Sequence, residues 1–167
     1  MMFIQKVSLF VALSMGGIVT AQAADKMHDY NFQDAVSRAV ADGTLDGSVK
    51  FYLAGTKSGG KMIEQGAVTN KKTNGFAKSA ESSCDHVLRS ALIQLQNTAK
   101  EKGANAVTNI VSYYKAKETK STTTYQCAKG TALAGVALKG DLVKTDIPIF
   151  FQKSCFASRT NLSSVNP

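Results

Sequence analysis

Two hydrophobic periodicities alternate along this chain, and each predicts a different kind of element. Over residues 48–54, Val49, Phe51 and Leu53 alternate with Lys50 and Tyr52, the period of two of a half-buried strand. Beyond a Gly- and Lys-rich turn, residues 62–70 read as the partner strand of a hairpin. Over residues 83–102 the period becomes 3.6. Cys84, Val87, Leu88, Ala91, Leu92, Leu95 and Ala99 fall on one stripe and predict a long amphipathic helix. Ser82 is its expected cap, with Asp85 three residues on, and Gly103 its left-handed stop. A short helix is predicted over residues 31–41, with Asn31 as cap, Gly43 as stop, and Phe32, Ala35, Val36, Ala39 and Val40 facing the core. Strands follow at 106–115, 121–128 and 131–139, the last packing through Val136 and Leu138.

The order helix, two strands, long helix, three strands predicts an α+β fold. A mostly antiparallel sheet packs against one long amphipathic helix, with a short N-terminal helix beside it. One domain over residues 24–144 is expected. From residue 145 the texture changes: Pro148, the apolar stretch 147–151 and a polar ending predict a poorly packed or extended tail over 145–167.

The first residues carry a different signal. Lys6 precedes an apolar run from Val7 to Val19, and Ala21-Gln22-Ala23 follows. These are the three regions of a secretory signal peptide spanning residues 1–23, with cleavage after Ala23 or Ala24. The run is shorter than the roughly 20 residues a membrane span needs. No lipidation cysteine follows it, and no second run of spanning length occurs, so the processed chain is expected to be periplasmic or secreted.

Composition adds a partner class. The 167 residues carry a formal net charge of +8, and Lys6 is the only charged residue in the leader, so the processed chain stays basic. Such a balance attracts anionic surfaces: lipopolysaccharide, phospholipid, cell-wall polymers or nucleic acid. An envelope protein or an anionic surface component is the expected partner. Nucleic acid is not, because Tyr113-Tyr114 and the lysine-rich loops form no recognised module.

Three cysteines remain after processing: Cys84, Cys127 and Cys155. In an oxidising compartment they make one bridge and one spare thiol, and spacing alone leaves three pairings open. Cys84 on the helix and Cys127 at the end of a β-branched strand favour a helix-to-sheet bridge, worth about 3–4 kcal/mol for a loop of that size. Cys155 falls in the tail and is expected to be unpaired. The enzymatic alternative is a thiol-dependent redox protein using Cys84 or Cys155, because a helix N-terminus lowers a thiol's pKa. No C-x-x-C spacing supports it.

Other chemistry reads weakly. Gly55 to Lys61 matches G-x-x-x-x-G-K, but Met62 stands where a P-loop needs Ser or Thr, and a strand-like stretch follows where it needs a helix. His28 and His86 are the only histidines. Cys84, Asp85 and His86 are adjacent on one helix and point in different directions, so no metal site is expected. No G-x-S-x-G elbow and no paired acids occur, so neither a catalytic residue nor a cofactor is expected.

Gly103-Ala104-Asn105-Ala106-Val107 after the amphipathic helix, Cys127, and Gly130-Thr131-Ala132-Leu133-Ala134-Gly135-Val136-Ala137-Leu138 resemble a group of small exported bacterial proteins commonly labelled excinuclease ATPase subunit. Asp46 to Tyr52 and Asn70 to Asn74 share in the likeness, which covers residues 46–144. More distantly, the same stretch resembles the YbjQ-like fold and the lipoprotein that senses envelope stress for the Rcs phosphorelay. The resemblance implies a compact α/β domain with disulfides and a stress-response role. It also implies the nucleic-acid connection in the excinuclease label.

Overall fold

The computed structural model describes residues 25–57 and 59–146. The expected leader with its cleavage site after Ala23 or Ala24, and residues 147–167 with Cys155, lie outside the described residues.

The described chain is a mixed α+β structure, a curled six-stranded sheet carrying two helices. Its first element is a strand that the apolar pattern did not announce: β1 (Lys26–Asn31) pairs antiparallel with β5 (Thr124–Lys129). Asn31 ends β1 and caps α1 (Phe32–Ala41), its side chain accepting from the Asp34 N–H at 3.0 Å. Phe32, Ala35, Val36 and Ala39 of α1 are buried, whereas Val40, expected beside them, is 43% exposed. Val40 lies one step round the helix from Ala39, at the margin of the apolar stripe.

α2 (Ala80–Glu101) begins one turn earlier than its apolar stripe suggests. Its cap is Ser79, not Ser82: the Ser79 hydroxyl accepts from the Ser82 N–H, so Ser82 lies inside the first turn. The stripe Cys84, Val87, Leu88, Ala91, Leu92, Leu95 and Ala99 is buried and supplies the helical side of the core.

The strand pairing overturns the expected hairpin. β2 (Lys50–Leu53) pairs in parallel with β4 (Ala106–Ser112), while β3 (Lys61–Asn74) pairs antiparallel with β6 (Leu133–Lys144). The physical reason lies in β6, which runs through Gly140 to Lys144 rather than ending at Lys139. That length lets it hold β3 along its whole extent on one side. Its other side is shared, with β5 at Gly135 and Ala134 and β4 from Leu138 to Val143. Sharing one strand between two diverging partners curls the sheet. β4 likewise ends at Ser112 and turns through a short 3₁₀ segment, Tyr114–Ala116.

Two of the three strands paired with β6 bulge. β3 shifts register between Glu64 and Ala67, where Gly66 has φ +72°, and β4 shifts between Thr108 and Val111, where Asn109 has φ +52°. Gly140 of β6 lies against the second bulge. A Cβ there would meet Val107 Cγ1 at 2.8 Å and Ile110 Cγ1 at 3.1 Å, so only glycine fits.

Candidate functional site

Cys84 lies in the first turns of α2, and Cys127 lies on β5 three residues before the β5–β6 turn. They form a disulfide with Cα atoms 5.8 Å apart, joining residues 43 apart in sequence. Both sulfurs are fully buried. The bridge holds the start of the long helix onto the sheet, and it leaves no free thiol at Cys84 for redox chemistry in the oxidised chain.

The segments leaving this clamp converge on one end of the molecule. β3 ends at Asn74, opposite Leu133 of β6, and the Gly75 N–H bonds the Ala132 carbonyl at 2.8 Å. The loop from Gly75 to Ser79 leads into the clamped first turn of α2, and the turn after Lys129 leads from the clamped strand β5 into β6. Phe76 sits on the first of these connections, 66% exposed, and Leu133 at the end of the second, 54% exposed. Exposed apolar side chains are ordinary one at a time, and these two lie on segments that adjoin at the Gly75–Ala132 hydrogen bond.

The loop carrying Phe76 is held in an unusual shape. The Asn74 side chain accepts from the Phe76 N–H at 2.9 Å, and Ala77 takes φ +57°, a conformation that costs free energy for a residue with a Cβ. Gly75 leaves room for Lys129: a Cβ on Gly75 would lie 2.9 Å from the Lys129 side chain, whose amine bonds the Gly130 carbonyl at 2.9 Å.

Several lysines stand on the same strands and loops. Lys129 pairs with Ala134 on one side and Lys26 on the other, Lys71 and Lys72 face Val136 and Gly135 across the β3–β6 ladder, and Lys78 closes the loop with its N–H on the Gly75 carbonyl. Against them stand Asp25, which accepts from the Tyr114 hydroxyl, and the exposed Glu81 of the first turn of α2. The charged residues named at this end are mostly cationic.

A second concavity, about 670 Å³, lies over the two bulges and is lined by Asn109, Asp141, Glu118 and Lys139. Its charged groups answer one another. The Lys139 amine meets Glu118 Oε1 at 2.8 Å and lies over the Tyr113 ring, and Asp141 holds the bulges. The Lys139 bond holds the Glu118 carboxyl below the usual range.

The remaining singled-out residues are dispersed. His28 faces Cys127 across β1–β5 and stacks on Tyr30, with centroids 6.0 Å apart, while His86 lies on α2. Among the described residues no three His, Cys, Asp or Glu side chains gather closely enough to hold a metal ion. The P-loop-like glycine run opens into β3, a strand, where a phosphate site would need a helix N-terminus. No described helix is long and apolar enough to cross a membrane.

The sequence singled out the disulfide but not the tip. Phe76 carries no periodic signal because it sits on a connection, Leu133 is the first residue of β6, and only strand register brings their segments to one end. No model of a known protein family matches the chain, and neither does any curated protein.

Proposed function

We propose that this protein is an exported, non-enzymatic binding module of the bacterial envelope that docks on anionic lipid surfaces through its disulfide-braced tip. The observation that carries the reading is the exposure of Phe76 and Leu133, 66% and 54%, at the end of the sheet whose strands and loops also carry Lys71, Lys72, Lys78 and Lys129. Apolar side chains at headgroup depth contribute about 2 kcal/mol each. Each lysine near an anionic surface adds about 1 kcal/mol. Two such side chains and a few lysines give reversible attachment, suited to a protein that visits the envelope surface rather than being anchored in it. The disulfide supports an oxidising, periplasmic or secreted setting, as does the leader-like sequence ending at Ala23. The more distant likeness to the lipoprotein that senses envelope stress for the Rcs phosphorelay is the support for a stress-response role.

The test is co-sedimentation of the purified oxidised protein with vesicles of neutral phosphatidylcholine, and with vesicles enriched in phosphatidylglycerol. Binding is expected only to the anionic vesicles and should fall with added salt. The double variant Phe76→Ser, Leu133→Ser is expected to bind about tenfold more weakly with an unchanged melting temperature. Equal binding by variant and parent, or retention on DNA but not on vesicles, overturns the proposal. Intact mass of the protein taken from its native compartment should show the leader removed and two sulfurs joined.

A further inference from the structure

The short strand β2 pairs only with β4, so among the described residues its outer edge carries no strand. Beside that edge runs a groove between β2 and α1, formed by two adjoining cavities of about 390 and 270 Å³ that share Gln33 and Tyr52. Its larger half is lined by Val36, Val40, Val49 and Phe51, and Val40 is left 43% exposed in it. An open strand edge beside an apolar groove is the arrangement that accepts an extended peptide as an added strand.

The chain itself delivers such a peptide to this place. Thr145, just past β6, is fastened to Asn105: the Thr145 N–H donates to Asn105 Oδ1 at 2.7 Å, and Asn105 Nδ2 donates to the Thr145 carbonyl at 2.8 Å. The Asn105 carbonyl in turn accepts from the N–H of Lys50, the first residue of β2, at 3.0 Å. The chain therefore leaves the sheet at the end where β2 begins. Neighbouring strands lie about 4.8 Å apart and an extended residue advances about 3.3 Å, so about four residues carry the chain from β6 past β4 to the outer edge of β2. The chain goes on, from two residues after Thr145, with the apolar sequence Ile-Pro-Ile-Phe-Phe at 147–151. A strand added there from that end would run parallel to β2, and Pro148, which has no N–H to give a ladder, would precede its paired part.

We propose that the chain after Pro148 docks in this groove as an added strand on the outer edge of β2, with one of the adjacent Phe150 and Phe151 against Val36 and Val40 and the other on the opposite face. The tether makes a modest contact sufficient, because a segment held within a few residues of its site has an effective concentration of about millimolar or above. The docked segment covers Val40 and closes the edge of β2.

A short bis-maleimide crosslinker reads this in the full chain carrying Cys155→Ser. One variant adds Gln33→Cys and Gln152→Cys, and its control adds Lys78→Cys and Gln152→Cys, Lys78 lying at the far end of β6. Crosslinking within one chain is expected to be about tenfold faster in the Gln33 pair than in the control. Val40→Asp, or Phe150→Ser with Phe151→Ser, should remove that difference while the fold and the native disulfide persist. Equal rates in the two pairs, no response to Val40→Asp, or crosslinks formed only between chains overturn the proposal.

Discussion

Asp141 Oδ1 accepts the backbone N–H of Gly66 at 2.9 Å, so a carboxylate in the middle of β6 closes the bulge in β3. Its other oxygen accepts from Asn109 Nδ2 at 2.8 Å and so closes the bulge in β4. One largely buried side chain satisfies both interruptions of the ladders that flank its strand.

Asp141→Asn should therefore cost stability out of proportion to its size. An amide has one acceptor oxygen, so one of the two donors would face an NH₂ group. A loss of about 1–3 kcal/mol is expected for a buried donor left without a partner. The urea midpoint should fall with an unchanged m-value. A midpoint equal to the parent's would show that the two bulges hold without this carboxylate.

The Cys84–Cys127 bridge should carry a comparable or larger share. Closing a loop across 43 residues of sequence restricts the unfolded chain. The chain-entropy relation gives about 4 kcal/mol for a loop of that size. Cys84→Ser and Cys127→Ser are each expected to lower the melting temperature as much as the double variant does, because either alone breaks the bond. Calorimetry of the parent with and without reductant should reproduce the difference. A parent indifferent to reductant would contradict it.

These two features differ in how much of them the sequence displays. The 3.6-residue recurrence from Cys84 to Ala99 stands in the apolar pattern itself, since every seventh or eighth position of a buried stripe must be apolar. The role of Asp141 is hidden: Gly140-Asp141 reads as a turn, yet the structure uses the glycine for close approach to Val107 and the carboxylate for the bulges. β1 is hidden for another reason. Lys-Met-His-Asp-Tyr-Asn has partly exposed residues on both faces, so no alternation marks it as a strand. The period of β3 reveals a half-buried strand but says nothing of its partner. Sequence neighbours favour β2, and only the full length of β6 decides otherwise. The tip escapes for the same reason, since that pairing is what brings the segments of Phe76 and Leu133 to one end.

Acid should weaken the contact between the two helices. Asp42, just past α1, accepts from Thr44 and from the Arg89 guanidinium of α2, and these bonds pull its pKa to about 2. Burial raises the pKa of Asp85 on α2, but its bonds to Arg38 at 2.8 Å and Arg89 at 2.7 Å outweigh that and hold it below the usual range. Lys100, and then Ser48, hold Asp46 well below it too. In the unfolded chain these carboxylates titrate near the ordinary value of about 3.9. The unfolded state therefore takes up protons first as pH falls. The stabilisation is fully present above about pH 5 and is lost progressively from about pH 4 towards pH 2. Urea midpoints across that range should fall, and more gently in high salt for the exposed pairs. A midpoint that rises on acidification would refute the assignment.

Gln96 is the one buried polar side chain on α2 whose exchange should strengthen the fold. It is 6% exposed, and its Oε1 has no hydrogen-bond partner among the described residues. An acceptor left without a partner away from water costs about 1–3 kcal/mol, which the folded state carries and the unfolded state does not. Methionine is the replacement to make: it is unbranched and of similar length, it fits irregular apolar space, and its helix propensity matches glutamine's. Gln96→Met is expected to raise stability by about 1 kcal/mol, read as a higher urea midpoint with the same m-value. The direction carries the information, because most substitutions at buried positions destabilise. A lower midpoint would mean that the glutamine oxygen is satisfied in solution.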